Sequence, residues 1–266
     1  METKVISISD GAAIPLLVSG VIPAAFRHGF TTRAGGVSAS PFDTLNLGWK
    51  WGDTPANVDE NHRRLLAAAG AATMFRASQV HGTRIVRVRR GDDPSAVAAQ
   101  QADGLCSDEL GVGLSVHVAD CTPILLACPR TGACAAVHAG WRGTVAGIAR
   151  VAVKTLAELG CRPDELRAAL GPCIGACCFE VGSEVSSAFV AAHPSARGDG
   201  RVIRGPRKEH IDLRRVQRID LEAAGLLPGN IDASSDCTCC DGGNRFFSFR
   251  KAGSATGQMV GFVVRI

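Results

Sequence analysis

The sequence predicts an α/β (α+β) fold, a single domain over residues 1–266 built from mixed β-sheets flanked by helices. Three observations predict it. Short apolar runs of strand length recur at 85–88, 112–118, 122–127, 133–137, 166–170 and 260–264. Longer segments with apolar residues at helical spacing lie between them. Neither a linker-like stretch nor an internal repeat divides the chain.

Taken in order, the first helix is expected to begin near Asp53, with Pro55 suited to its first turn, and to run through DENHRRLLAAAG to Gly70. The strand at 85–88 follows. The runs at 112–118, 122–127 and 133–137 are three closely spaced strands, and the last of them feeds a helix over 144–159. In that helix Val145, Ile148, Ala149, Ala152, Leu156 and Leu159 share a face, and Gly160 supplies the stop. A strand at 166–170, a helix over 213–224 ending at Gly225 and a closing strand at 260–264 complete the pattern.

The 266 residues suffice to bury a real core, and 46% hydrophobic with 20% charged residues is the balance of an ordinary globular protein. Lys and Arg exceed Asp and Glu by 29 to 25, too weak an excess to argue for nucleic acid. Arg84, Arg87, Arg89 and Arg90 read as a solvated strand face. The opening segment lacks a basic region ahead of a short apolar stretch broken by Pro15, and no run approaches the ~20 apolar residues of a membrane span. Eleven cysteines, an odd number in a large chain with no sign of secretion, read as reduced thiols or metal ligands, and the expected location is cytoplasmic.

Chemistry concentrates at the ends of the apolar runs. Cys121 and His138 lie 138 − 121 = 17 residues apart, the length of two neighbouring strands and their connection, and His81 precedes the strand at 85–88 with Gly82 behind it. Two imidazoles and one thiolate suit zinc, and three protein ligands leave the open position of a catalytic site. Copper accepts the same donors. Each residue also has an ordinary reading, a hydrogen-bonded histidine or a buried thiol, and Cys121 with His138 as base would make a metal-independent hydrolase. His117 reads as structural, since four strand residues hold it ~13 Å from Cys121. Asp120, on the opposite face of a regular strand, is a poor ligand. His28, His62, His193 and His210 read as ordinary hydrogen-bonding residues.

Two cysteine runs stand apart from this trio. Cys237, Cys239 and Cys240, and likewise Cys173, Cys177 and Cys178, lack a second group at zinc-finger spacing and read as buried or reactive thiols. Dinucleotide and Walker fingerprints are missing. Arg142 and Gly143, leading into the helix after His138, would offer amides and a guanidinium to an anion such as phosphate. Arg33 and Arg250 share that reading, and each has the alternative of an ordinary surface ion pair.

Together QVHG, ADCTPILL, HAGWRG, GPCIGACCFEVG, the closing CT…RFFSFR…TGQMVGFV and the front segment FTTRAGGVSASPFDTLNLG resemble the YfiH family, also called laccase-domain or multicopper polyphenol oxidase-like proteins. The likeness covers nearly everything from Gly29 onward. It implies a YfiH-like fold and a zinc held by His81, Cys121 and His138. It further implies purine nucleoside phosphorylase activity on adenosine, inosine and methylthioadenosine, with adenosine deaminase activity, or, in the family's older description, copper-dependent phenol oxidation. The implied partners are a purine nucleoside and phosphate. The family's Arg-Arg reads Arg250-Lys251 here and its TGR ends in Gln258, while Cys239 and Cys240 lie outside its pattern.

Overall fold

The structure, a computed structural model, describes residues 1–8, 11–205, 207–241 and 244–266. Its larger sheets have six strands each. The first runs β1 (Glu2–Ser7), β2 (Ala13–Val18), β3 (Phe26–Thr31), β15 (Met259–Arg265), β7 (Gly113–Val118) and β4 (Met74–Phe75). The second runs β14 (Ile231–Ala233), β10 (Arg167–Leu170), β8 (Thr122–Ala127), β9 (Cys134–Ala139), β6 (Gly104–Ser107) and β5 (Ile85–Arg87). Both are mixed, antiparallel inside and parallel where β4 joins β7, β14 joins β10 and β5 joins β6. A small third sheet orders β11 (Glu180–Val181), β13 (Glu209–Ile211) and β12 (Val202–Arg204).

Alternation along the strands sets the layers. Leu114, Val116 and Val263 of the first sheet meet Leu105, Leu125, Ala136 and Ala169 of the second in a core between them. On the first sheet's outer face, Val260, Phe262 and Val264 meet Leu65, Ala68 and Ala69 of α1 (Pro55–Ala69). The second sheet's outer face, with Ile124, Leu126, Ala135 and Val137, is covered by α4 (Ile148–Glu158) and α6 (Leu213–Ala223). The inner strands are buried on both faces, which is why they read as unbroken apolar runs. Short helices α2 (Pro94–Ala98), α3 (Trp141–Val145) and α7 (Phe249–Ala252) sit in connections, and α5 (Ser183–Ala192) packs Phe189 and Val185 on the third sheet.

The first helix begins at Pro55 and stops at Gly70, whose left-handed φ of 59° closes it. The expected single helix over 144–159 is two, α3 and α4, because Gly147 turns left-handed at φ 81° between them. The first of them, α3, begins at Trp141, with Gly140 alone separating it from the end of β9. The strand expected at 133–137 extends through Ala139, so His138 lies within it. The three N-terminal strands and the third sheet were not expected, since their apolar runs are short or exposed. Among the described residues no helix is long and apolar enough to cross a membrane.

Candidate metal centre and its cavity

Strand register brings the central residues together. Pro123 of β8 faces His138 of β9, and Cys121 lies two residues before Pro123 on the same face. Both side chains therefore look into the gap between the large sheets at its open end. His81 arrives on the loop after β4 with a left-handed φ of 63°. The ligand atoms of His81, Cys121 and His138 all lie within 4.8 Å of one another, with Cys121 Sγ 3.9 Å from His81 Nε2. The two imidazoles meet edge to face at 4.9 Å.

Asp103, fully buried and just ahead of β6, fixes two of the three. Its Oδ1 accepts hydrogen bonds from His138 Nδ1 at 2.8 Å and from the His81 amide at 2.9 Å. Its Oδ2 accepts from the Gly82 amide at 2.7 Å and the Val80 amide at 3.2 Å. With Nδ1 so engaged, His138 turns Nε2 toward Cys121, the orientation a metal-binding imidazole takes. Burial opposes ionisation of Asp103, yet His138 and these amides outweigh it and hold the carboxyl below its ordinary range. Burial would likewise raise the Cys121 thiol, but charge and hydrogen bonding from His138, with His81, bring it down to about 6. In return the thiolate and Asp103 overcome burial and raise His138 to about 9. This is a site organised for charged sulfur.

Close approach at Gly140 is a steric requirement. A Cβ there would stand 2.5 Å from His81 Cδ2 and 3.1 Å from Cys121 Sγ, although the backbone, at φ −74°, suits any residue. Gly140→Ala is therefore expected to displace the His81 ring and weaken metal binding by ~10-fold or more, the scale on which misplaced ligand support costs affinity. Thermal stability should change little. Metal titration of the folded variant checks this, and an unchanged affinity would remove the packing argument.

The trio opens into a cavity of about 720 Å³. Its lining includes Trp49, Lys50, Trp51, Arg76, His117, Phe179, Phe249 and Arg250. Trp49 stacks on His62 at 4.2 Å, and His117 stands 5.7 Å from the same His62 ring. Trp51 and Phe249 pair at 5.5 Å. His117 is buried, and its Nε2 has no hydrogen-bond partner among the described residues. Burial, with His62 and Arg76 nearby, keeps it far below the ordinary histidine range and hence neutral. Arg76 lies 4.4 Å over the Trp49 ring with no carboxylate partner among the described residues, and burial lowers its pKa.

The sequence-derived phosphate residues divide. Arg250 lines the cavity, with Nη1 donating to the Cys178 carbonyl at 2.9 Å. Arg142 does not, because its exposed guanidinium lies 4.3 Å over the neighbouring Trp141 ring. Arg33 is also elsewhere, paired with Asp43 at 3.0 Å and lying over Phe247. Gly143 is buried, where a Cβ would strike the Gly82 carbonyl at 2.8 Å, so it serves close packing of α3 on the His81 loop.

Asp120 departs from the regular strand assumed for it, with φ 89°, and lines the cavity. Its oxygens accept from the Thr238 hydroxyl at 2.5 Å and the Arg250 amide at 2.6 Å, so it supports the loops rather than the trio. His117 stands outside the trio, as its spacing requires, but it faces the same cavity. Asp103, Arg76 and the Trp49–Trp51 segment were not singled out from sequence. The run GWKWG, with two of the chain's three tryptophans flanking a lysine, was the available signal for the last.

Residues 27–266 match the family described as Multi-copper polyphenol oxidoreductase laccase. A Pseudomonas aeruginosa protein named purine nucleoside phosphorylase is 42% identical over 242 residues, covering 91% of this chain and 94% of its own length. The Mus musculus protein named purine nucleoside phosphorylase LACC1 is 36% identical over 260 residues, or 94% of this chain, which spans only 58% of that longer protein. The crystal structure of Bacillus licheniformis hypothetical protein YfiH superposes with a TM-score of 0.87 at 32% identity, covering 97% of this chain and 98% of that one. These likenesses run through nearly the whole chain and both large sheets, and the protein belongs to the YfiH family of laccase-domain proteins.

Proposed function

We propose that this chain is a zinc-dependent purine nucleoside phosphorylase, acting on adenosine, inosine and methylthioadenosine, that also deaminates adenosine. One observation carries the reading: a single cavity joins a three-donor metal cluster to aromatic faces and to the cationic side chains of Lys50, Arg76 and Arg250. The names of the relatives support it.

His81, Cys121 and His138 would hold zinc, which would supply Lewis acidity to the reaction. The donor chemistry fits, since Asp103 leaves His138 Nε2 free and the site favours the Cys121 thiolate. Arg76, Lys50 and Arg250 bind phosphate through charge-assisted hydrogen bonds. Trp51 and Phe249 offer aromatic faces on which a purine stacks. His117, neutral and with no partner for Nε2 among the described residues, forms part of the cavity wall beside the base. Most of the acceleration then comes from positioning and charge.

Arg76→Ala tests the phosphate assignment. A lost charge-assisted bond of ~1.5–3 kcal/mol corresponds to a ~10–100-fold rise in the KM for phosphate. The KM for inosine should stay within about twofold, since the stacking planes remain. Steady-state kinetics with each substrate varied measures both, and an unchanged phosphate KM would take Arg76 out of the site.

Two further readings rest on particular observations. Two imidazoles and a thiolate also suit copper, and the family's description names a laccase. That oxidase would stop without oxygen. The chain Cys121, His138, Asp103 also has the order of nucleophile, base and orienting carboxylate in a cysteine hydrolase. Such an enzyme would survive chelation.

A further inference from the structure

We propose that Cys177, Cys178, Cys237 and Cys240 form a second metal site, a tetrathiolate that takes one zinc ion and locks one wall of the cavity. Sequence spacing argued against either cysteine run as a ligand group by itself, and the fold brings the two runs together. β10 and β14 are parallel neighbours, Ala168 facing Ile231 and Leu170 facing Ala233, so the loops that leave them emerge at the same end of the sheet. A lone parallel bridge between Cys173 and Cys237 continues the contact past both strands. Vicinal Cys177 and Cys178 thus meet the C-x2-C pair of the second loop.

The sulfurs converge on a common centre. All four lie within 4.8 Å of one another. Zinc–sulfur bonds of ~2.3 Å in a tetrahedron set thiolates ~3.8 Å apart, so this spread suits one ion. An iron–sulfur cluster would hold its cysteines farther apart, because several irons and bridging sulfides lie between them. Cys240 Sγ stands 3.2 Å from Cys177 Sγ and 3.1 Å from Cys178 Sγ. A disulfide would satisfy only one of those neighbours, and all the cysteines here are free.

The surroundings suit negative sulfur. The amides of Gly175 and Cys240 donate to Cys237 Sγ at 3.1 and 3.4 Å, the bonding that holds a thiolate ligand. Arg250 donates to the Cys178 carbonyl and Arg214 to the Asp236 carbonyl, which places two cations beside a centre that would carry net negative charge. With four protein ligands and no open position, the site is structural in kind.

Its place in the fold gives its purpose. The 173–179 turn carries Ile174 and Phe179 into the cavity lining. On the second loop, Thr238 donates to Asp120, which in turn accepts the Arg250 amide. An ion shared by the two loops therefore fixes Phe179, Asp120 and Arg250 relative to the His81, Cys121 and His138 cluster.

Metal counting on full-length chains, purified reduced and equilibrated with zinc, tests the assignment without reference to activity. Cys121→Ala with His138→Ala should retain one zinc per chain. Loaded with Co(II), that variant should show red-region bands of a tetrahedral ion and strong near-ultraviolet sulfur-to-cobalt absorption. Adding Cys237→Ser and Cys240→Ser should abolish both the ion and the absorption. A Cys121→Ala, His138→Ala protein that takes up neither zinc nor cobalt overturns the proposal, as does a cobalt spectrum lacking thiolate absorption. Because the cobalt spectrum is read with all four cysteines intact, misfolding of the serine variant leaves the test decisive. Failure of the His81, Cys121, His138 cluster to bind metal would instead show as equal zinc in the parent and the Cys121→Ala, His138→Ala protein.

Discussion

Cys121→Ala is expected to lower kcat/KM for nucleoside phosphorolysis by ~10³-fold or more while the protein stays folded. Metal assistance is worth several kcal/mol of transition-state stabilisation, and each 1.36 kcal/mol is tenfold in rate. The thiolate is the anionic donor of the trio, so its loss leaves two imidazoles and weakens both the ion's retention and its placement. The side chain is only partly buried at the edge of the core between the sheets, so the fold loses little. Cys121→Asp separates this account from a cysteine nucleophile, because a carboxylate can ligate zinc but cannot replace the thiol in attack. Partial recovery with zinc is expected from the aspartate variant. Complete inactivity with zinc bound would favour the hydrolase.

The second large effect is expected at Asp103, which touches no substrate. One buried carboxylate accepts from His138 Nδ1 and from three successive amides, those of Val80, His81 and Gly82. Asp103→Asn turns one acceptor oxygen into a donor amide facing N–H groups. Breaking a buried charged arrangement costs ~3–5 kcal/mol, which for a chain of this size lowers Tm by ~10 °C. The misaligned His138 should also lose ~10–100-fold in metal affinity. The pH dependence follows from the lowered carboxyl pKa. Its stabilisation is complete above the ordinary Asp value of ~3.9 and is lost as pH falls below it, so the parent, unlike Asp103→Asn, should show this acid-dependent contribution. Thermal melts from pH 3 to pH 7 measure it, and coincident profiles would contradict the role given to Asp103.

What could be read in the sequence follows from what leaves a local mark. Strands β8 and β9 were legible because burial on both faces makes them continuously apolar, and Cys121 and His138 stood out at their ends. The break at Gly147 was hidden because the residues on either side keep helical spacing of apolar side chains, and only the backbone turn separates them. Asp103 left no mark, since a single aspartate before a strand gains meaning only when the ladder sets it beside His138, whose amide donates to its carbonyl at 2.7 Å. Arg76 and the convergence of the two cysteine runs left no mark for the same reason. Their partners come from distant loops, and the pairing of β10 with β14 is a property of topology rather than of spacing. Arg142 is the converse case. Its place at a helix start suggested an anion receptor, but α3 directs it outward onto Trp141.

Phosphate attack on a purine nucleoside in the cavity beside His81, Cys121 and His138 has a product signature of its own. The direct measurement is phosphorus NMR of an oxygen-free mixture of zinc-loaded protein, inosine and phosphate, with the purine followed by chromatography. Equimolar ribose 1-phosphate and hypoxanthine, both abolished by chelation and restored by zinc, is the expected result. Absence of ribose 1-phosphate, or turnover only when oxygen is admitted, would contradict it.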